Sequence, residues 1–213
     1  MKKKKIIKYI KENRKTIILA VSLVLFTIIT YAIFSDKIDT LDKNIHSYIL
    51  NIRNENLTSI LITITNISSA YALIVLSILL LLIMKKKKIP LLICLNLIIS
   101  FLTNQIAKLT FSRPRPVGIN LIEESGYSYP SGHAMISMAY FGFIAYLIYK
   151  SNLNKIIKLP LITSIFILIL LIGFSRIYLG VHYLSDIIGG FLLSIAYIMI
   201  FINCIKIKKA GRK

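Results

Sequence analysis

The sequence predicts an all-α, polytopic membrane protein of one domain, with six transmembrane helices and an interfacial amphipathic helix after the first span. Three observations predict it. The 213-residue chain is 56% hydrophobic, with a mean hydropathy of +0.76, too apolar for a soluble domain. Several uncharged runs reach the roughly 20 residues that a helix needs to cross a bilayer. The formal net charge of +19 gathers at the ends of those runs, as membrane topology requires. That clustering argues against nucleic acid as a partner and favours anionic lipid at the basic ends.

The elements follow in order. Eight Lys or Arg lie within residues 1–15, ahead of a first apolar run over 16–34. Its basic start is like that of a secretory leader. The run is long, however, and Ser35-Asp36-Lys37 is a poor cleavage site, so a retained first span is expected. Ile38, Leu41, Ile45, Tyr48, Ile49 and Ile52 then recur at three- and four-residue steps between Asp, Lys and Asn, the pattern of a helix lying in the interface. His46 belongs to that helix and reads as a surface residue. A second span is expected over 59–84. Its polar first half (Thr63, Thr65, Asn66, Ser68, Ser69) suggests packing inside the bundle. A third span, 89–108, carries Asn96, Ser100, Asn104 and Lys108 four residues apart on one stripe. Interhelical hydrogen bonding explains Asn96 and Ser100. Lys108 needs a partner at that depth. A Pro-rich loop over 111–130 leads to spans at 131–149, 159–174 and 183–205. Cys94 and Cys204 fall within spans and suggest no disulfide.

With six spans and a cytoplasmic N-terminus, residues 1–15, 85–88, 150–158 and 206–213 share the inner side. They hold eight, four, three and five Lys or Arg, twenty of the twenty-seven. The positive-inside rule supports this layout with both termini cytoplasmic. Of the seven outside cations, Lys108, Arg113, Arg115 and Arg176 crowd around the Pro-rich loop and Ser175-Arg176, which suggests a role other than topology.

Three outward segments carry chemistry: Lys108 through Arg115-Pro116, Pro130-Ser131-Gly132-His133, and Ser175-Arg176 through His182 to Asp186. If His182 opens a helix, Asp186 lies on the same face and can hold one ring nitrogen, leaving the other as a nucleophile. Lys108, Arg115 and Arg176 offer three cations to phosphate oxygens. Ser131 and the Gly132 N–H, at a helix start, add neutral donors where the helix dipole favours anions. His182 would attack phosphorus, and His133 would protonate the leaving oxygen and then activate water. Arg113 reads as a secondary cation or headgroup contact. Glu123 and Glu124 are the acids nearest the site, too few for a magnesium or calcium site; adjacent acids in such a loop are usually solvated, though with Tyr127 and Tyr129 these two could still shape substrate entry.

The three segments resemble the type 2 phosphatidic acid phosphatase family: a Lys and an Arg-Pro separated by six residues, Pro-Ser-Gly-His, and Ser-Arg, five residues, His, three residues, Asp. Every fixed position matches, over residues 108–186. The resemblance implies a metal-independent membrane lipid phosphatase without a cofactor, catalytic His182, His133 and Asp186, and phosphate contacts from Lys108, Arg115, Ser131, Gly132 and Arg176. It implies a bilayer-borne lipid substrate and a site near the outer headgroup layer. The Lys- and Ile-rich composition, without tryptophan, looks bacterial and suggests the plasma membrane. Undecaprenyl diphosphate is the expected substrate. Phosphatidylglycerol phosphate or phosphatidic acid is the alternative. A non-catalytic lipid-phosphate binding or transport protein would keep the cations but need neither histidine nor Asp186. No oligomeric state is legible.

Overall fold

A computed structural model describes residues 2–118 and 120–205, with side chains from residue 12 onward. The regular elements among the described residues are all helices: α1 (Lys2–Phe34), α2 (Asp39–Asn51), α3 (Glu55–Asn66), α4 (Ala70–Ile83), α5 (Lys88–Phe111), α6 (Gly132–Lys150), α7 (Lys155–Tyr178) and α8 (Leu184–Cys204). Five of these are long and apolar enough to span a membrane by themselves. Counting the bent α3–α4 pair as one crossing makes six.

α6 and α8 form the centre, packed on each other and flanked by α5, α7 and α1. Half of the apolar window of α6 is buried, against 11% for α1, so α1 is a peripheral helix that meets lipid. Leu82, Ile83 and Leu159 are likewise exposed, as expected where hydrocarbon replaces water. Away from the site end, the core is built from Ile93, Phe143, Ile169, Ile172 and Phe201. With lipid outside, close packing rather than water exclusion drives association of these helices. Two glycines set that packing. A Cβ on Gly189 would fall 2.4 Å from the Tyr129 ring, and one on Gly190 3.0 Å from the Ser131 carbonyl oxygen. α8 therefore lies directly against the start of α6.

The second span is not one straight helix. α3 and α4 meet at a 48° bend. Ser68 Oγ donates back to the Thr65 carbonyl at 3.0 Å, and Ser69 caps α4 by accepting from Ala72 N at 3.2 Å. These short side chains offer the backbone an alternative to the helical ladder, which breaks it here. Thr65 and Ser68 are buried as expected of this polar half, whereas Thr63 and Asn66 are exposed. α5 and α7 run longer than expected at both ends.

α2 also differs. Its buried residues are Asp42, His46 and Ile49, so His46 is not a surface residue. Leu41 and Tyr48 are the exposed ones. The apolar periodicity is real, but the face that meets the bundle is the one carrying Asp42, which has a cation to meet. Cys94 and Cys204 are free.

Candidate active site

The site sits where α5 and α7 end and α6 and α8 begin. α5 stops because Ser112 turns left-handed (φ 46°) and Pro114 follows. The chain then returns over the bundle end to α6. Tyr129 anchors it: fully buried, it stacks on Phe26 and shares a 2.8 Å hydroxyl hydrogen bond with Thr30 of α1. Asn104 donates to the Pro130 carbonyl at 3.2 Å, and Ser131 N donates to the Asp186 carbonyl at 3.1 Å. The last bond ties Pro130-Ser131-Gly132-His133 directly to the start of α8.

Arg113 and Arg115, one proline apart, take opposite sides. Arg113 is buried and donates to Asp186 Oδ1 at 2.7 Å, Asp42 Oδ2 at 2.9 Å and Ser185 Oγ at 2.7 Å. It is therefore neither a headgroup contact nor a loose cation. Burial alone would lower its pKa, but Asp186 and Asp42 outweigh that and raise it above the usual arginine value. Asp42 also accepts from Ser185 N at 3.1 Å and from Ser185 Oγ, placing a carboxylate at the N-terminus of α8.

Arg115 turns to the cavity. Its guanidinium donates to the carbonyls of Gly126 (3.0 Å), Ser125 (2.9 Å) and Val181 (3.0 Å), and Nη1 lies 3.2 Å from His182 Nε2. Lys108 donates to the Tyr127 carbonyl at 2.6 Å. Arg176, buried at the end of α7, donates to Thr65 Oγ1 at 2.9 Å and pairs with Glu124. Glu124 also lies 3.7 Å from Arg115 and 4.0 Å from His133 Nδ1, so it is not a solvated loop acid but the anion at the centre of the cations.

His182 is buried in the short link between α7 and α8. Its Nδ1 is 3.1 Å from Ser128 Oγ and 3.5 Å from Asp186 Oδ2. Ser128 Oγ donates to the same Oδ2 at 2.6 Å, and Tyr183 N donates there at 2.8 Å. Burial pushes the His182 pKa down to about 4 against the pull of Asp186, so the ring is neutral at neutral pH, as a nucleophile requires.

Lys108, Arg115, Gly132, His133 and His182 line one cavity of about 690 Å³, whose other wall is apolar: Leu73, Ile74, Leu97, Ile98, Phe101 and Leu102. Ser131, Arg176 and Asp186 are buried around it. Ser131 Oγ and Arg176 Nε are buried without a hydrogen-bond partner, donors whose desolvation an entering anion would relieve. The structure thus gathers all eight residues singled out in the sequence at one bundle end. Among the described residues no group of three or more His, Cys, Asp or Glu is arranged to hold a metal ion. Sequence reasoning passed over Asp42, Thr65, Ser128 and Ser185. Asp42 had a signal: it shares an i, i+4, i+7 face with His46 and Ile49. Ser128 had none beyond its nearness to Pro130-Ser131-Gly132-His133.

Phosphatidylglycerophosphatase B of Bacillus subtilis is 32% identical over 175 residues, covering 80% of this chain and 86% of that protein. An undecaprenyl-diphosphatase of Sulfolobus acidocaldarius is 29% identical over 143 residues, 64% of this chain and 65% of that one. Among solved structures, a transmembrane PAP2-type phosphatidylglycerolphosphate phosphatase from Bacillus subtilis superposes with a TM-score of 0.82 at 27% identity, over 91% of this chain and 98% of that chain. Aquifex aeolicus LpxE superposes with a TM-score of 0.62 at 26% identity, over 76% and 95%. The sequence profile of the PAP2 superfamily matches residues 89–210, which take in every member of the cavity's cation and imidazole set. A bundle of this shape, closed around that set, belongs to the PAP2 superfamily of membrane phosphatases.

Proposed function

We propose that this chain removes the terminal phosphate of a membrane lipid through a phosphohistidine on His182. The observation that carries the reading is the placement of two imidazoles and the cations Lys108 and Arg115 on one cavity whose far wall is apolar. The phosphate would lie among Lys108, Arg115, Arg176, Ser131 Oγ and the Gly132 N–H, displacing Glu124 from the guanidiniums. The lipid chain would lie along Leu97, Phe101 and Leu102. His182 Nε2 forms the bond to phosphorus as the bond from phosphorus to the leaving oxygen breaks, and His133 gives that oxygen its proton. Water then attacks phosphorus, His133 takes the water's proton, the N–P bond breaks, and inorganic phosphate leaves. Most of the rate comes from cations set in place before charge develops on the phosphoryl oxygens.

Two substrates compete. The extent of the likeness to phosphatidylglycerophosphatase B, 80% of this chain, favours phosphatidylglycerol phosphate. An outward-facing site in a bacterial plasma membrane, with both termini cytoplasmic, favours undecaprenyl diphosphate. Phosphate release by the purified protein from these two lipids and from phosphatidic acid decides between them by kcat/KM. Activity on none of the three, with binding retained, would support a lipid-phosphate binding or transport protein instead. Turnover unchanged in His182→Ala would remove the nucleophile.

A further inference from the structure

The His182–Asp186 pair is not joined as its spacing suggests. The direct Nδ1–Oδ2 separation is 3.5 Å, longer than a good charge-assisted hydrogen bond. Asp186 already accepts at short range from Arg113, Ser128 and Tyr183 N. Ser128, fully buried, touches both carboxylate and ring, at 2.6 and 3.1 Å. The directions of these bonds follow from the donors. Arginine has no acceptor, so the 3.2 Å contact from Arg115 Nη1 makes His182 Nε2 the unprotonated nitrogen. Nδ1 therefore carries the hydrogen. The one hydroxyl hydrogen of Ser128 goes to Asp186 at 2.6 Å, leaving its oxygen to accept from Nδ1 at 3.1 Å. The chain of donors runs Arg115 to His182 to Ser128 to Asp186.

We propose that Ser128 is a positioning residue for phosphoryl transfer: its hydroxyl links Asp186 to His182 and holds the ring's direction by accepting from Nδ1–H. The link rests on the reading of His182 as nucleophile. When Nε2 bonds to phosphorus the ring becomes cationic and Nδ1–H a stronger donor. The serine oxygen, polarised by the carboxylate, then steadies that charge. Arg115 must leave Nε2 for a phosphate oxygen at the same moment, which leaves the Ser128 link as the ring's remaining hold.

The test is a double-mutant cycle of Ser128→Ala and Asp186→Asn on the purified full chain. Expected for Ser128→Ala is a fall in kcat of about 10- to 100-fold with KM within about twofold. The double variant should be no slower than Asp186→Asn alone, because both changes cut one chain. Proton NMR should show the Nδ1–H signal of His182 moving upfield and exchanging faster with water in Ser128→Ala, which removes its acceptor. Inorganic phosphate should still bind Ser128→Ala as it binds the parent, which establishes that the variant is folded. Full kcat with an unchanged Nδ1–H signal, or strictly additive losses, overturns the proposal while an inactive His182→Ala leaves the nucleophile standing. An active His182→Ala overturns both.

Discussion

Arg113 and Arg115 are two residues apart and live in opposite worlds. Arg113 is enclosed by Asp42, Asp186 and Ser185, which hold its guanidinium so firmly that its pKa rises despite burial. Arg115 is partnered mainly by backbone carbonyls and by Glu124 at 3.7 Å, and burial lowers its pKa against the pull of Glu124 and Asp186. One region has its charges matched and sealed under α2. The other keeps cations only half answered, with Ser131 Oγ and Arg176 Nε unsatisfied beside them. The same residue type builds the first region and waits for an anion in the second.

Breaking the sealed side should have the largest effect on the chemistry. Asp186→Asn is expected to lower kcat by about 10³- to 10⁴-fold with little change in KM, since the amide no longer favours the reactive tautomer. Steady-state kinetics on the preferred lipid checks this. Arg113→Ala leaves Asp42 and Asp186 buried without their cation and is expected to cost about 3–5 kcal/mol of stability, read by thermal unfolding in detergent. A melting temperature equal to the parent's would show that Arg113 is not a structural cation. On the open side, Arg176→Ala should instead keep the fold and reduce kcat/KM by about 10²-fold. Glu124→Gln sharpens the contrast: with the resident carboxylate neutralised, inorganic phosphate should bind about three- to tenfold more tightly, roughly one charge-assisted contact. Calorimetric titration gives the sign directly.

The smallest effect is in pH. The His182 pKa is lowered from 6.5 to about 4. Between those values the unfolded chain takes up a proton there and the folded chain does not, so acidification through this window destabilises the protein. Above pH 6.5 the ring is neutral in both states and the contribution is complete. The parent's melting temperature should therefore fall more steeply from pH 6.5 to 4 than that of His182→Gln.

The open side was legible in the sequence and the sealed side was not. Lys108, Arg115, His133, Arg176 and His182 stand at the spacings of the motifs, which are visible in the sequence without any fold. Arg113 has the same composition and neighbourhood, and nothing local reveals which way its side chain turns. That depends on α2, whose apolar rhythm points to Leu41 and Tyr48 while Asp42 is the residue drawn inward. A charge pair across 71 positions decides the helix's orientation, and periodicity carries no information about it. The helices themselves were read well because bilayer thickness sets their length. The α3–α4 break escaped because Ser68 and Ser69 read equally as interior polar residues of a straight helix. Ser128 and the pairing of Glu124 with the cations escaped because loop residues owe their roles to the surfaces they fold against.

Phosphoryl transfer in this site turns on His182 Nε2 as the atom that receives phosphorus. Rapid quenching of the enzyme with substrate labelled at the terminal phosphate tests it most directly. The account predicts an acid-labile, alkali-stable phosphoryl label on His182 that forms and decays at rates compatible with turnover and is absent in His182→Ala. A label on another residue, or sustained turnover by His182→Ala, would contradict it.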